Sequence, residues 1–297
     1  STQNETPPQG EHRMLDHPLQ DIDAWVLLFS NNSLPVLRVT KRRLDEMRQH
    51  IDDVDARELS RVIIQDPLMT ARVFAFTQSI GSRSLQRDIA TIASAVMMIG
   101  IEPFFKRFED LPTIEGMLKG EDTHALLGVL QVIRRSQRAA DYAQEWAIWR
   151  NDVNMEEVRI AALLHDLAEL LVWTFAPSLG LEIHAQQVAH PNLRSVDAQR
   201  NTLGLCFEEI QEALCRVWHL PELLQNLLGE DSKNLRERTV ALAVRLARHS
   251  SHGWDNPALP DDYIDIGQLL NISPEAVRQR IGVDAMPARE ADGPEAS

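Results

Sequence analysis

The chain has 297 residues, enough for one large domain or two and for a substantial hydrophobic core. Its 44 acidic and 30 basic residues give a formal charge of −14, which argues against a general role on nucleic acid or on an anionic membrane. Hydrophobic residues make up 44%, and the long segments are built from Ala, Leu, Arg, Glu and Gln rather than strand formers, so the composition favours helix.

Residues 1–18 are polar, carry Pro7, Pro8 and Gly10, and are expected to be disordered. A short helix over 19–29 places Ile22, Trp25, Val26 and Phe29 on one side, and Asn31-Asn32-Ser33 breaks the pattern. Leu34-Pro35 opens a second helix running to about residue 51. Asp55, with Glu58 three residues on, reads as a capping box. Asp66-Pro67 reads as an N-cap followed by Pro at the first helical position, for a helix over 68–80 that Gly81 stops. A helix over 89–99 is closed by Gly100, and another covers 102–110. Leu111-Pro112 and residues 116–120 form a connection, dividing an N-terminal helical subdomain (19–112) from a second one (123–252).

The second half begins with a long helix over 123–148 and a turn at 151–154. The stretch VRIAALLHDLAELLVW, 158–173, is apolar on every side of the helical wheel and predicts a buried helix carrying His165, Asp166 and Glu169. Shorter helices are expected over 177–188, 191–203, 207–217 and 221–228, and a longer one over 234–250. Two short helices, 263–270 and 274–281, the second opened by Ser273 as N-cap and Pro274, form a C-terminal hairpin within 260–282, and the tail 284–297 is expected to be disordered. Strand-like alternation and internal repeats are missing, so the fold class is all-α and multi-helical. Cys206 and Cys215 lie in apolar helical sequence without disulfide or zinc-site spacing, and read as reduced, buried thiols. No signal peptide is evident, and the longest apolar run is too short and too polar for a membrane span, so a cytoplasmic protein is expected.

Ionisable groups in a buried helix need partners, which makes His165 and Asp166 the residues to explain. Five segments together carry a resemblance: LPVL at 34–37, IIQDPLMTARVFAFTQS at 63–79, RDIATIASAVMMIGIEPF at 87–104, AALLHDLAELLV at 161–172 and WHLPELL at 218–224. In order and spacing they resemble the HDOD family, the bacterial HD-related output domain. The resemblance implies a helical domain of two subdomains and a role in bacterial signal transduction, with signalling proteins as partners and a small molecule or nucleotide as a candidate ligand.

The related HD superfamily uses a His-Asp pair to hold divalent metals for phosphohydrolysis. Successive helical residues point about 100° apart, so the pair can converge on one ion or on two neighbours, where the metals activate water. Further ligands must come from other helices, and the sequence lacks them at the matching places. The preceding helix reads VIRRSQRA, with Arg135 at or next to the expected His. Phe207 stands where the family often has a later His, LLQNLLGEDSKN after Pro221 has no His, and LAVRLARHS near the end has no acid. His124, His184, His190 and His219 read as surface or packed histidines, and Glu169, on the same face as His165, as a helix edge or an ion-pair partner. Asp166 is therefore expected to pair with Arg135, Arg134 or Arg138 in place of a metal, since a guanidinium offers directed hydrogen bonds to a carboxylate.

No metal and no cofactor is expected, because no phosphate loop, nucleophile elbow or zinc signature is present either. The function that follows is a non-catalytic output or scaffold domain acting through protein contacts or a small ligand. A metal-dependent phosphohydrolase built on His165 and Asp166 is the first alternative. A transcriptional regulator using the hairpin's Arg278 and Arg280 is the second, set back by Asp261, Asp262, Asp265 and Glu275 around them.

Overall fold

Local signals become helices along nearly the whole chain, in a computed structural model that describes residues 14–80, 89–227 and 234–283. The expected loose segment 1–13, the Gly81 stop, the end of the 221–228 helix and the tail 284–297 lie outside the described residues. The first half comprises α1 (Ile22–Asn31), α2 (Arg38–Arg48), a 3-10 turn (Ile51–Asp53), α3 (Ala56–Ile63), α4 (Pro67–Ile80), α5 (Ile92–Ile99), α6 (Ile101–Arg107) and α7 (Ile114–Met117). Then come α8 (Thr123–Trp149), α9 (Met155–Leu164), α10 (Leu167–Phe175), α11 (Pro177–Ala189), α12 (Ser195–Leu203), α13 (Phe207–Val217), α14 (Glu222–Asn226), α15 (Leu235–His249), α16 (Leu259–Leu270) and α17 (Pro274–Arg280). The fold is all-α: among the described residues the strand-like pairing is a single parallel bridge between Val36 and Thr113.

Caps read from the sequence are in place. Asp55 accepts the Glu58 amide at 2.7 Å and Ser273 accepts that of Ala276 at 3.2 Å, each satisfying an amide the helix cannot. Asp66 does more than cap α4. Its fully buried carboxylate accepts the amides of Leu68 (2.9 Å), Met69 (3.1 Å) and, across the fold, Leu37 (2.8 Å). That third bond explains why 34–37 is not the start of a helix, as expected, but an extended stretch. Val36 donates to Pro112 O and accepts from the Ile114 amide, both at 2.9 Å, and α2 begins only at Arg38.

The start of the chain is also tied down further than expected. The Leu15 amide donates to Phe175 O at 2.9 Å and Ser178 Oγ donates to Leu15 O at 3.2 Å, so residues 14–18 do not share the disorder expected of 1–18. Helix α1 packs against α13, and its Ser30 hydroxyl accepts from Trp218 Nε1 at 3.0 Å.

Buried apolar side chains join in one cluster from Trp25 to Val277. In the second half α8 is the axis, with α9 and α15 along it. Trp173 on α10 is seated over the backbones of two neighbouring helices where only glycine leaves room. A Cβ at Gly128 of α8 would stand 2.3 Å from its ring, and one at Gly180 of α11 2.6 Å. Both cysteines are buried, and burial pushes the Cys215 thiol up to about 12, which keeps it protonated. No single helix among the described residues is long and apolar enough to cross a membrane. The 155–175 segment and α11 pass such a test only as a pair bent by 113°, and their apolar residues belong largely to the core.

Candidate functional site

The buried stretch 158–173 is not one helix. α9 ends at Leu164, α10 starts at Leu167, and His165-Asp166 form the turn between them, Asp166 leaving helical geometry at φ −100°, ψ 27°. A break inside the core strands backbone groups, and a single side chain takes up two of them. Gln211 of α13, 3% exposed, accepts the Ala168 amide through Oε1 and donates to Leu164 O through Nε2, both at 2.8 Å. The consequence for the dyad is geometric. At a turn, His165 and Asp166 face a cleft instead of standing on a continuous helical face.

Asp166 is 8% exposed at its side chain and accepts four hydrogen bonds. Arg135 of α8 donates to Oδ2 twice, from Nε at 3.1 Å and Nη2 at 2.8 Å. Arg248 of α15 donates to Oδ1 from Nη2 at 3.0 Å, and His165 Nδ1 lies 2.9 Å from the same oxygen. An ionised carboxylate only accepts, so Nδ1 carries the proton. Arg135 Nη2 also meets Glu169 Oε2. Burial would raise the Asp166 carboxyl, but Arg135, Arg248 and His165 overcome it and hold the group well below the usual carboxylate range. Burial likewise acts to lower the Arg135 guanidinium, and Glu169 and Asp166 outweigh it to raise it.

Of the three arginines considered from the sequence, Arg135 is the one brought to Asp166. Arg134 is exposed, and Arg138 turns away to Ser250 O (3.3 Å), Ser250 Oγ (3.1 Å) and the Tyr142 hydroxyl (3.0 Å). Sequence reasoning missed Arg248 and Gln211. Arg248 stands in LAVRLARHS, which reads as a segment lacking an acid when in fact it supplies a second cation.

The cleft beside the dyad encloses about 560 Å³, with Phe207, Gln211, Arg248, His249 and His252 among its lining. A smaller pocket of about 290 Å³ adjoins it, sharing Arg135 and His252 and adding Arg134 and Arg138. His124 pairs with Asp122 at the start of α8, and His184, His190 and His219 are exposed, none of them lining this cleft. The residues present do not fit a divalent ion. A carboxylate offers about four lone-pair sites, and in Asp166 four donors already use them. Among the described residues no three His, Cys, Asp or Glu side chains form a metal-ligating group. At the C-terminal hairpin, Arg280 stacks on Trp149 with its guanidinium 4.4 Å from the ring centre, and Arg278 lies over Tyr263 at 5.9 Å, so both are engaged on their own protein.

Comparison with known proteins agrees with this architecture. The family model for the HDOD domain matches residues 34–233. Among curated proteins, none matches significantly. Of solved structures, the MmoQ response regulator of Methylococcus capsulatus str. Bath is similar at TM-score 0.61 and 19% identity, over 84% of this chain and 98% of that one. A virulence factor of Campylobacter jejuni subsp. jejuni is similar at TM-score 0.60 and 17% identity, over 89% and 93%. At those identities the likeness is one of fold, whereas the family match spans well over half of the sequence: the chain belongs to the HDOD domain family.

Proposed function

We propose that this protein is a non-catalytic output or scaffold domain in signal transduction, acting through contacts with partner proteins or through a small ligand taken into the dyad cleft. One observation carries the reading: two guanidiniums and an imidazole N–H occupy the Asp166 carboxylate, the group a metallohydrolase of this ancestry would need free. A cation entering there would have to displace Arg135 from two buried hydrogen bonds to Oδ2 and sit beside two positive charges. The family assignment and the response-regulator neighbour in fold point to signalling.

Metal analysis of protein purified without chelator, paired with a phosphodiester hydrolysis assay, tests this. The expected result is substoichiometric metal and no hydrolysis, in the wild type and in His165→Ala alike. Stoichiometric Fe, Mn, Zn or Ni that is lost in His165→Ala would overturn the reading in favour of a phosphohydrolase. Salt-sensitive duplex DNA binding that disappears in Arg278→Ala/Arg280→Ala would instead favour a transcriptional regulator.

A further inference from the structure

A second cleft, remote from the dyad in its lining, lies where the C-terminal end of α1 and Trp218 meet α4 and α6. It encloses about 530 Å³, within the size range of small-molecule sites. Its chemistry is unusual for this chain. Among the described residues no acidic side chain lines this cleft, while Arg72 and Arg107 both do. Arg72 donates from Nη1 to Ser33 Oγ at 2.9 Å and to Leu34 O, both neutral acceptors. Among the described residues neither arginine has a carboxylate in ion-pair range, in contrast to Arg135, Arg159 and Arg245, each of which meets at least one.

Aromatic rings hold the two guanidiniums in place. Arg72 lies over Phe108 at 5.7 Å and Arg107 over Phe76 at 5.0 Å, and the two rings meet edge to face at 5.6 Å. Such stacking positions a cation and does not neutralise it. Burial and, after it, the like charge of Arg107 push Arg72 down to about 10, which agrees with two cations sharing this cleft. Arg72 is half-buried with no counter-ion among the described residues, which is unfavourable, and a bound anion would relieve it.

We propose that this cleft binds a phosphoryl-bearing anion of up to nucleotide size, with Arg72 and Arg107 as its two cationic contacts. A phosphoryl group has three acceptor oxygens and can serve two guanidinium forks at once. Ser33, whose oxygen accepts from Arg72, keeps its own O–H to donate. The chemistry is the same for free inorganic pyrophosphate and for a nucleotide, and the two are separated by the test.

Isothermal titration calorimetry of the full chain with pyrophosphate and, separately, with ADP is the experiment. Wild type is expected to bind, and Arg107→Gln, at an exposed side chain, to weaken binding by about tenfold or more, the worth of one charged hydrogen bond, with its thermal midpoint recorded beside the affinity. Arg134→Gln, which alters only the pocket beside the dyad, is expected to leave affinity at the wild-type value. ADP binding much tighter than pyrophosphate would assign a nucleotide, and equal affinities a free phosphoryl anion. The proposal is overturned if neither probe binds at millimolar concentration, if Arg107→Gln keeps wild-type affinity, or if the loss follows Arg134→Gln.

Discussion

Replacing Arg135 with Met tests the reading of the dyad at its centre. Arg135 and Asp166 are 16% and 8% exposed at their side chains, so the pair is shielded from water and little screened by salt. The substitution keeps the aliphatic stem and removes two donors from Asp166 and the cation facing Glu169. Taking away one member of a buried pair costs about 3–5 kcal/mol, because it strands the other charge. Arg248 and His165 still hold Asp166, which puts this site at the low end, about 3 kcal/mol. For a chain of 297 residues that corresponds to a fall in thermal midpoint of roughly 5 °C. Removing both charges in Arg135→Met/Asp166→Leu should recover most of the loss, since Glu169, 21% exposed, can turn to water. Urea and thermal unfolding followed by circular dichroism measure both variants. A single variant within about 1 kcal/mol of wild type, the range of surface pairs, would refute the argument that the guanidinium holds a buried carboxylate.

Four further expectations follow from the same geometry. Arg248→Gln should cost no more than about 1 kcal/mol by urea unfolding, because its side chain is 53% exposed and solvent screens its charge. Gln211→Leu leaves the Ala168 amide and Leu164 carbonyl buried without partners and should cost about 2–4 kcal/mol by the same method. Gly128→Ala should destabilise despite the roughly 1 kcal/mol helix preference for Ala, because its Cβ would meet the Trp173 ring at 2.3 Å; adding Trp173→Leu should relieve the clash in thermal melts. Asp166 has a folded pKa below its unfolded one, so its contribution is fully present above the unfolded value of about 3.9 and fades as pH falls through the folded one. Stability measured against pH should therefore drop on the acid side in the wild type, and with a shallower slope in Asp166→Asn.

Much of the fold was legible because its signals are local. Asp55, Asp66 and Ser273 cap the helices they precede, and each does so by bonding an amide two or three residues ahead. What was not legible is long-range. The break at His165-Asp166 left no trace in the hydrophobic pattern, since a stretch apolar on all sides has no phase to interrupt. The side chain that makes the break tolerable, Gln211, is 43 residues away from Ala168. The extended turn at 34–37 depends likewise on Asp66, 29 residues on from Leu37. Asp166 needing a guanidinium could be read from chemistry alone. Which one could not, because Arg134, Arg135 and Arg138 are neighbours on one side of a helix, and a small rotation of α8 decides among them.

Arg248 shows why a missing ligand is an incomplete description of this site. Reading LAVRLARHS as a segment without an acid counts a loss, whereas the fold turns the same segment into a gain of positive charge on Asp166. The cluster then contains two carboxylates, Asp166 and Glu169, and two guanidiniums, Arg135 and Arg248, whose charges sum to zero. A divalent ion is drawn to a site by net negative charge and by open lone pairs. Here the first is cancelled and the second are filled, by side chains from two separate helices and the turn itself. Restoring a metal would require more than one ligand, because each arginine left in place would still occupy an oxygen the ion needs. A site closed in this way fixes α8, the α9–α10 turn and α15 to one another. Under the proposed non-catalytic reading, that fixation sets the shape of the cleft beside the dyad.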